Sequence, residues 1–332
     1  MLGYSERNYK MYTIGVDLGG TNIAIGLCDE ALNIIDKDSV PTLASRDGEL
    51  IIKDMADLAK KIMDRNGVCI SDLEYVGIAA PGAVNPREGV VEHCSNLPFH
   101  SFPIAEIFKK YLPVSRVFVE NDANAAALGE ALKGAAAGTK HSVMITLGTG
   151  VGGGVIIDGR IFSGGINNSG AELGHTVIDF DGRPCPCGRR GCWEAYSSAT
   201  ALAAMTAEKM QELKLNGIPS LLFDETVAEG KVSARTAFNA MKRGDKFGKE
   251  LVDSYIYYLS VGITDMINIF QPEILCIGGG VCNEKENLTK PLTELVAKHQ
   301  YTSYTSNQTK IAIAKLGNDA GIIGAAGLAR QF

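Results

Sequence analysis

The sequence predicts an α/β protein of two domains, on three observations. Two β-rich runs joined by a glycine turn occupy residues 13–28, and the same strand, turn, strand grammar returns at residues 141–160. The chain has 332 residues, 45% of them hydrophobic, which is enough for two cores of ordinary size. Short apolar runs at 75–82, 116–122 and 273–281 each end in polar or glycine residues, and such strand ends are where α/β sheets place ligand groups.

In chain order, TIGVDLGGTNIAIGLC (13–28) reads as a hairpin opening the first domain. Residues 49–65 follow as a helix, because Leu50, Ile51, Met55, Leu58, Ile62 and Met63 recur at helical spacing. YVGIAAPG (75–82) is a buried strand ending in a Pro-Gly loop, and RVFVEND (116–122) is a strand running into an Ala-rich helix. HSVMITLGTGVGGGVIIDGR (141–160) opens the second domain. Helical sequence dominates 197–270, EILCIGGGV (273–281) is a strand ending in three glycines, and GNDAGIIGAAGLAR (317–330) closes the chain as a glycine-rich helix. The expected division is 1–121 plus a C-terminal helix at about 318–332 against 122–317, with a hinge near Glu120 to Asp122.

Composition excludes several classes. The net charge of −6, from 32 basic and 38 acidic residues, is not gathered into a long run of either sign, which argues against a nucleic-acid groove or a membrane-binding face. No apolar stretch reaches the roughly 18 residues of a bilayer span, and MLGYSERNYKMY lacks the apolar core of a signal peptide. A cytoplasmic location is expected. The eight cysteines are then thiols of a reducing compartment: Cys28, Cys69, Cys94, Cys276 and Cys282 read as scattered buried side chains, whereas Cys185, Cys187 and Cys192 are clustered.

DLGGT (17–21), ENDANAAALGE (120–130), LGTGVGGG (147–154), GAELGH (170–175) and CPCGRRGCWE (185–194), in this order, resemble the ROK family of sugar kinases and repressors within the actin, Hsp70 and hexokinase superfamily. The resemblance covers nearly the whole chain. It implies a two-domain actin-like ATPase (ribonuclease H-like) fold with a substrate cleft between the domains. It also implies that the C-terminal helix packs on the first domain, and that the chain forms a homodimer or homotetramer through the second.

Glycine lets backbone N–H groups approach an anion and adopt the positive φ angles that aim several of them at one point. Gly19, Gly20 and Thr21 could do this in the first turn, and Gly148, Thr149, Gly150 and Gly152 in the second. Either turn alone is more ordinarily just a tight turn; the pair with its flanks indicates phosphate binding. Neither matches the G-x-x-x-x-G-K-[ST] phosphate loop. By resemblance, Asp17 organises Mg²⁺ and the phosphates of ATP, and Gly278, Gly279 and Gly280 lie near the adenosine.

Phosphoryl transfer to an alcohol needs a base for the hydroxyl proton. Asp122, between a strand and a helix, has on spacing alone the ordinary role of a helix N-cap; the surrounding motif matches the family's catalytic aspartate. By the same correspondence Asn121 and, more distantly, Asn96 contact sugar hydroxyls.

His175, Cys185, Cys187 and Cys192 are the ligand set of a closed tetrahedral structural zinc. Their H-x9-C-x-C-x4-C spacing is not that of a zinc finger, and by pattern alone free thiols compete equally, with a C-x-C disulfide the weaker reading. Agreement with the family signature selects zinc, with no open position for water. By resemblance Glu172 and Glu194 hold hydroxyls around C1 to C3 of the sugar and the second nitrogen of His175 adds a contact; a salt-bridged surface glutamate is the plain alternative for Glu194.

The implied activity is an ATP-dependent hexose kinase of glucokinase type acting on the 6-hydroxyl. N-acetylmannosamine, N-acetylglucosamine, allose and fructose kinases share the family's mechanism, and SGGINNS (163–169) does not discriminate among them. A sugar-responsive transcriptional regulator is the alternative of a different class, against which only about ten residues precede the first strand.

Overall fold

The computed structural model describes residues 11–166 and 168–331. The N-terminal segment read above for a signal core or DNA-binding domain, and Asn167 of the SGGINNS loop, lie outside the described residues. The elements are β1 (Tyr12–Leu18), β2 (Asn22–Cys28), β3 (Ile34–Pro41), α1 (Gly48–Arg65), β4 (Leu73–Ala80), β5 (Ala83–Asn85), β6 (Val90–His93), β7 (His100–Phe102), α2 (Ile104–Tyr111), β8 (Val117–Asn121) and α3 (Asp122–Lys133). They continue with β9 (Ser142–Leu147), β10 (Val151–Ile157), β11 (Arg160–Ile161), α4 (Glu194–Ser197), α5 (Ala199–Leu215), α6 (Leu221–Glu229), α7 (Ala234–Lys242), α8 (Lys246–Phe270), β12 (Ile274–Gly278), α9 (Glu286–His299), β13 (Lys310–Ile313) and α10 (Ala320–Ala326).

These elements form two compact units: residues 1–138, 155–171 and 318–332, and residues 139–154 and 172–317. The first division therefore falls after α3 instead of at residue 121, and a second stretch, 155–171, belongs to the first unit. The physical reason is a close helix packing on α10. A Cβ on Gly324 of α10 would stand 1.7 Å from the Ala125 carbonyl oxygen of α3, and one on Gly129 of α3 would stand 2.3 Å from that of Ala320. Glycine alone permits backbones this near, and the packing groups α3 with the C-terminal helix.

The first unit is built on a sheet of order β3-β2-β1-β4-β8, with β1, β4 and β8 parallel and β2 and β3 antiparallel to their neighbours. α10 lies on this sheet over Gly15 and Gly77, whose added Cβ atoms would stand 2.0 and 1.8 Å from the carbonyl oxygens of Ile322 and Ala325. α1 is capped by Asp47, whose side chain accepts the Glu49 N–H at 2.8 Å. Of its apolar residues named from the sequence, Ile51, Met55, Leu58, Ile62 and Met63 enter the core, while Leu50 is exposed. Leu50 lies at the edge of the apolar stripe, which is narrower than the periodicity suggests. A small antiparallel sheet, β5-β6-β7, completes the unit.

The second unit carries strands in the order β10-β9-β12-β13, with β12 parallel to both β9 and β13. Helices α4 to α8 fill the region read as helical. Trp193 is fully buried against α8, where a Cβ on Gly262 would stand 2.1 Å from the indole ring. Among the scattered cysteines, Cys28, Cys94, Cys276 and Cys282 are buried as expected, but Cys69 is exposed in the turn after α1.

Candidate active site

In the first unit the turn between β1 and β2 is Gly19, Gly20 and Thr21. The Gly19 N–H closes on the Asn22 carbonyl at 2.9 Å, and the hydroxyl of Thr42 donates to the Gly19 carbonyl at 2.6 Å. Gly19 is thus spent on the turn itself. The N–H groups of Gly20 and Thr21 have no partner among the described residues, and both residues are exposed. Asn96 is exposed beside this turn, its Cβ 3.9 Å from where a Cβ on Gly20 would be.

Asp17 precedes the turn at the C-terminal end of β1. Its carboxyl is pushed up to about 6, first by burial and then by the charge of Asp122. A Cβ on Gly321 would meet it at 2.5 Å, so the first turn of α10 must be glycine to admit the carboxylate.

The junction of β8 and α3 separates two roles that spacing could not. The N-cap is Asn121, whose side-chain oxygen accepts the N–H groups of Ala123 at 2.9 Å and Asn124 at 3.1 Å. Its amide nitrogen donates to the Gly82 carbonyl at 3.0 Å. Both lone pairs of that oxygen are used, and one N–H is left for other partners. Asp122 is the first helical residue, half-buried, and its Oδ1 accepts the Ala123 N–H at 2.9 Å, a proton it shares with Asn121. Glu120 is buried, accepts the N–H of Asn121 at 2.8 Å and a proton of the Asn124 amide at 3.1 Å, and burial holds its carboxyl above the ordinary range.

In the second unit the turn between β9 and β10 is Gly148, Thr149 and Gly150; Gly152 lies within β10 and not in the turn. Gly148 closes the turn on the Gly150 carbonyl at 3.1 Å, and its own carbonyl accepts the Ala199 N–H at 2.9 Å. The N–H groups of Thr149 and Gly150 have no partner among the described residues. This turn lines a cavity of about 390 Å³ together with Ala199, Arg235, Phe238, Gly280 and Asn283, within the size range of small-molecule sites. Gly278 ends β12, and Gly279 at φ +92° passes so near the end of β9 that a Cβ would stand 2.3 Å from the Leu147 carbonyl oxygen. Of the three glycines only Gly280 reaches the cavity. Arg235, Phe238 and Asn283 carry no glycine signature and were not singled out in the sequence; SARTAF (233–238) announces a capped helix start, not a ligand wall.

His175, Cys185, Cys187 and Cys192 come together in the same unit, their ligand atoms all within 4.8 Å of one another. Cys187 Sγ is 3.6 Å from Cys192 Sγ, and Cys185 Sγ is 3.7 Å from His175 Nδ1. Bonds of about 2.3 Å to sulfur and 2.0–2.1 Å to nitrogen at the tetrahedral angle require about 3.8 Å between sulfurs and about 3.6 Å between sulfur and nitrogen, so the four residues fit a zinc-sized cation. The loop is held by its own bonds as well: the Cys185 N–H donates to the Arg189 carbonyl at 2.9 Å, and the Tyr196 hydroxyl accepts the Arg183 N–H at 2.7 Å while lying 2.6 Å from Asp179 Oδ2.

Because Nδ1 of His175 faces the thiols, its Nε2 is the second nitrogen. His175 ends the turn Leu173–His175, and its N–H closes on the carbonyl of Glu172, which is exposed at the head of that turn. Glu194, the first residue of α4, is half-buried and accepts the Val151 N–H at 2.9 Å through Oε2. One oxygen of this carboxylate is therefore committed to the backbone beside the glycine turn, a contact sequence spacing did not suggest.

Among the described residues no helix is long and apolar enough to cross a membrane. The family model for the ROK family matches residues 13–332. The glucokinase of Halalkalibacterium halodurans is 38% identical over 323 residues, covering 96% of this chain and 94% of its own length. That of Thermotoga maritima is 36% identical over 323 residues, covering 97% and 98%. The ROK family glucokinase of Streptomyces griseus, solved in complex with glucose and AMPPNP, superposes with a TM-score of 0.78 at 32% identity and covers 97% of this chain and 100% of its own.

Proposed function

The chain belongs to the ROK family and is a sugar phosphotransferase of the actin-like fold, and on that premise we propose that it transfers the γ-phosphoryl group of ATP to the 6-hydroxyl of glucose with Asp122 as general base. The observation that carries the reading is the division of labour at the head of α3. Asn121 accepts the N–H groups of both Ala123 and Asn124, so capping does not rest on Asp122, whose Oδ1 only shares the Ala123 N–H.

Asp122 accepts the hydroxyl proton as the sugar oxygen attacks phosphorus and the bond to the departing ADP oxygen breaks. The amides of Gly20 and Thr21, and those of Thr149 and Gly150, hold phosphate oxygens; the cavity beside Gly148 and Gly280 takes the adenosine. Asp17 would hold Mg²⁺, which supplies positive charge against the transferring phosphoryl group. Glu172, Glu194 and His175 Nε2 accept or donate hydrogen bonds at sugar hydroxyls, with Asn96 and the remaining N–H of Asn121 as further contacts. A zinc ion on His175, Cys185, Cys187 and Cys192 would be structural and would fix the orientation of these side chains. The names of the relatives support the choice of glucose. Self-association through the second unit, where Leu215, Val227, Ile269, Tyr301 and Tyr304 are exposed, and a cytoplasmic location belong to the same proposal.

The test is ADP release with Mg-ATP across glucose, fructose, allose, N-acetylglucosamine and N-acetylmannosamine. Glucose is expected to give the highest kcat/KM; a higher value for an N-acetylhexosamine would reassign the substrate, and release with none of them would end the reading.

A further inference from the structure

Outside the clusters already described, His93 and His100 face each other on the small sheet of the first unit. They are cross-strand partners, the last residue of β6 and the first of β7. One step toward the loop, the Cys94 N–H donates to the Phe99 carbonyl at 3.1 Å, which makes His93 and His100 the closely spaced, non-hydrogen-bonded pair of the ladder. Their Nδ1 atoms are 3.3 Å apart, the ring centroids 4.9 Å apart, and both residues are exposed.

Two bonds of about 2.0–2.1 Å from imidazole nitrogens to zinc, at the tetrahedral angle, put the nitrogens about 3.3–3.4 Å apart. Imidazole is a ligand of choice for zinc, copper and nickel. When both rings carry their proton on Nε2, two Nδ1 lone pairs converge on one exposed point that a cation would satisfy.

We propose that His93 and His100 chelate a divalent transition cation of the zinc class through their two Nδ1 atoms, with water completing the coordination. The pair closes the base of the loop formed by residues 94–99, which carries Asn96. The base is also tied to the sheet: a Cβ on Gly82 would stand 2.2 Å from the His93 carbonyl oxygen, and Gly82 in turn accepts the amide proton of Asn121. A cation across the two rings clasps this loop at its neck.

The test uses the full chain with its cysteine cluster loaded, titrated with Zn²⁺ by equilibrium dialysis and elemental analysis, beside His93→Gln and His100→Gln. The parent is expected to take up one equivalent beyond the first, and each variant to lose that equivalent or bind it at least ~10-fold more weakly while keeping the first. Hydrogen exchange of residues 94–99 is expected to slow on saturation in the parent and not in His100→Gln. No second equivalent in the parent, or one undiminished in both variants, overturns the site; exchange indifferent to bound metal overturns the clasp. Neither readout depends on kinase activity.

Discussion

Glu194 Oε2 accepts the Val151 N–H at 2.9 Å, and a Cβ added to Gly150 would stand 2.2 Å from the same oxygen. Glu194 follows Cys192 by two residues, so one carboxylate links the cysteine-bearing loop to the glycine turn at the start of β10. The absence of a side chain at position 150 is what lets it dock.

Gly150→Ala is therefore expected to expel the Glu194 carboxylate and shift the turn. A displacement of about 1 Å in a positioning element can reduce turnover by roughly 10²-fold, and that is the loss expected in kcat/KM for ATP. Glu194→Gln, whose amide oxygen can still accept from Val151, should keep the turn in place and retain the ATP KM. Steady-state kinetics on both variants check this; an unaffected Gly150→Ala would show the contact is incidental.

Asp122→Asn is expected to lower kcat by roughly 10²–10⁴-fold, the range for loss of a general base. The melting temperature should hold, because the cap is Asn121. Near-parental turnover in a correctly folded variant would remove Asp122 from the mechanism.

Cys192 is buried and Cys187 is exposed, yet their sulfurs are 3.6 Å apart. Cys192→Ser should lose stoichiometric zinc, with an effect on metal affinity at least as large as the roughly 10–100-fold loss seen when a supporting partner of a ligand is removed. Turnover should fall with it, since Glu194 and His175 lie on the same loop. Elemental analysis and kinetics together check the pairing of the two losses; a variant that retains metal and activity would show the cluster is not a metal centre.

The parts of this molecule written in local signals were legible in the sequence. The glycine turns at 19–21 and 148–150 stand between strands where the β-rich apolar runs put them, and α1 ends at Arg65 as its periodicity indicates. The four metal-ligand candidates, close in sequence, also lie close together in the fold. What sequence could not give depends on contacts between distant residues. The packing of Gly324 against Ala125 moves α3 into the first unit, although nearly 200 residues separate them. Asn121 and Asp122 are adjacent and both can cap a helix, so only the backbone geometry at the β8–α3 junction assigns the cap. Phe238 and Asn283 reach one cavity from separate elements, with no shared motif to announce it.

Gly324→Ala tests that long-range packing. Alanine improves helix propensity by about 1 kcal/mol, but its Cβ would stand 1.7 Å from a backbone oxygen that cannot rotate away. Overpacking of this kind typically costs about 1–3 kcal/mol and sometimes more. A net loss of stability is expected in urea denaturation, and a gain would mean that α3 and α10 can separate freely.

Asp17 makes one contribution to the pH dependence of stability. Its carboxyl is pushed up to about 6 in the folded chain from the ordinary aspartate value of 3.8, chiefly by burial and secondarily by the charge of Asp122. Between those two values the folded state holds a proton that the unfolded state has released. Stability therefore falls as pH rises through this window, reaching a penalty of about 3 kcal/mol above pH ~6, from about 1.36 kcal/mol per unit over roughly two units. Asp17→Asn cannot ionise and escapes the penalty, so in Mg²⁺-free, nucleotide-free buffer it should be the more stable protein at pH 7. That advantage should shrink toward pH 4, where the parent's carboxyl is protonated when folded. Urea denaturation of both proteins at pH 4, 5, 6 and 7 measures the difference directly, and parallel curves would mean that Asp17 ionises in the folded chain as freely as in water.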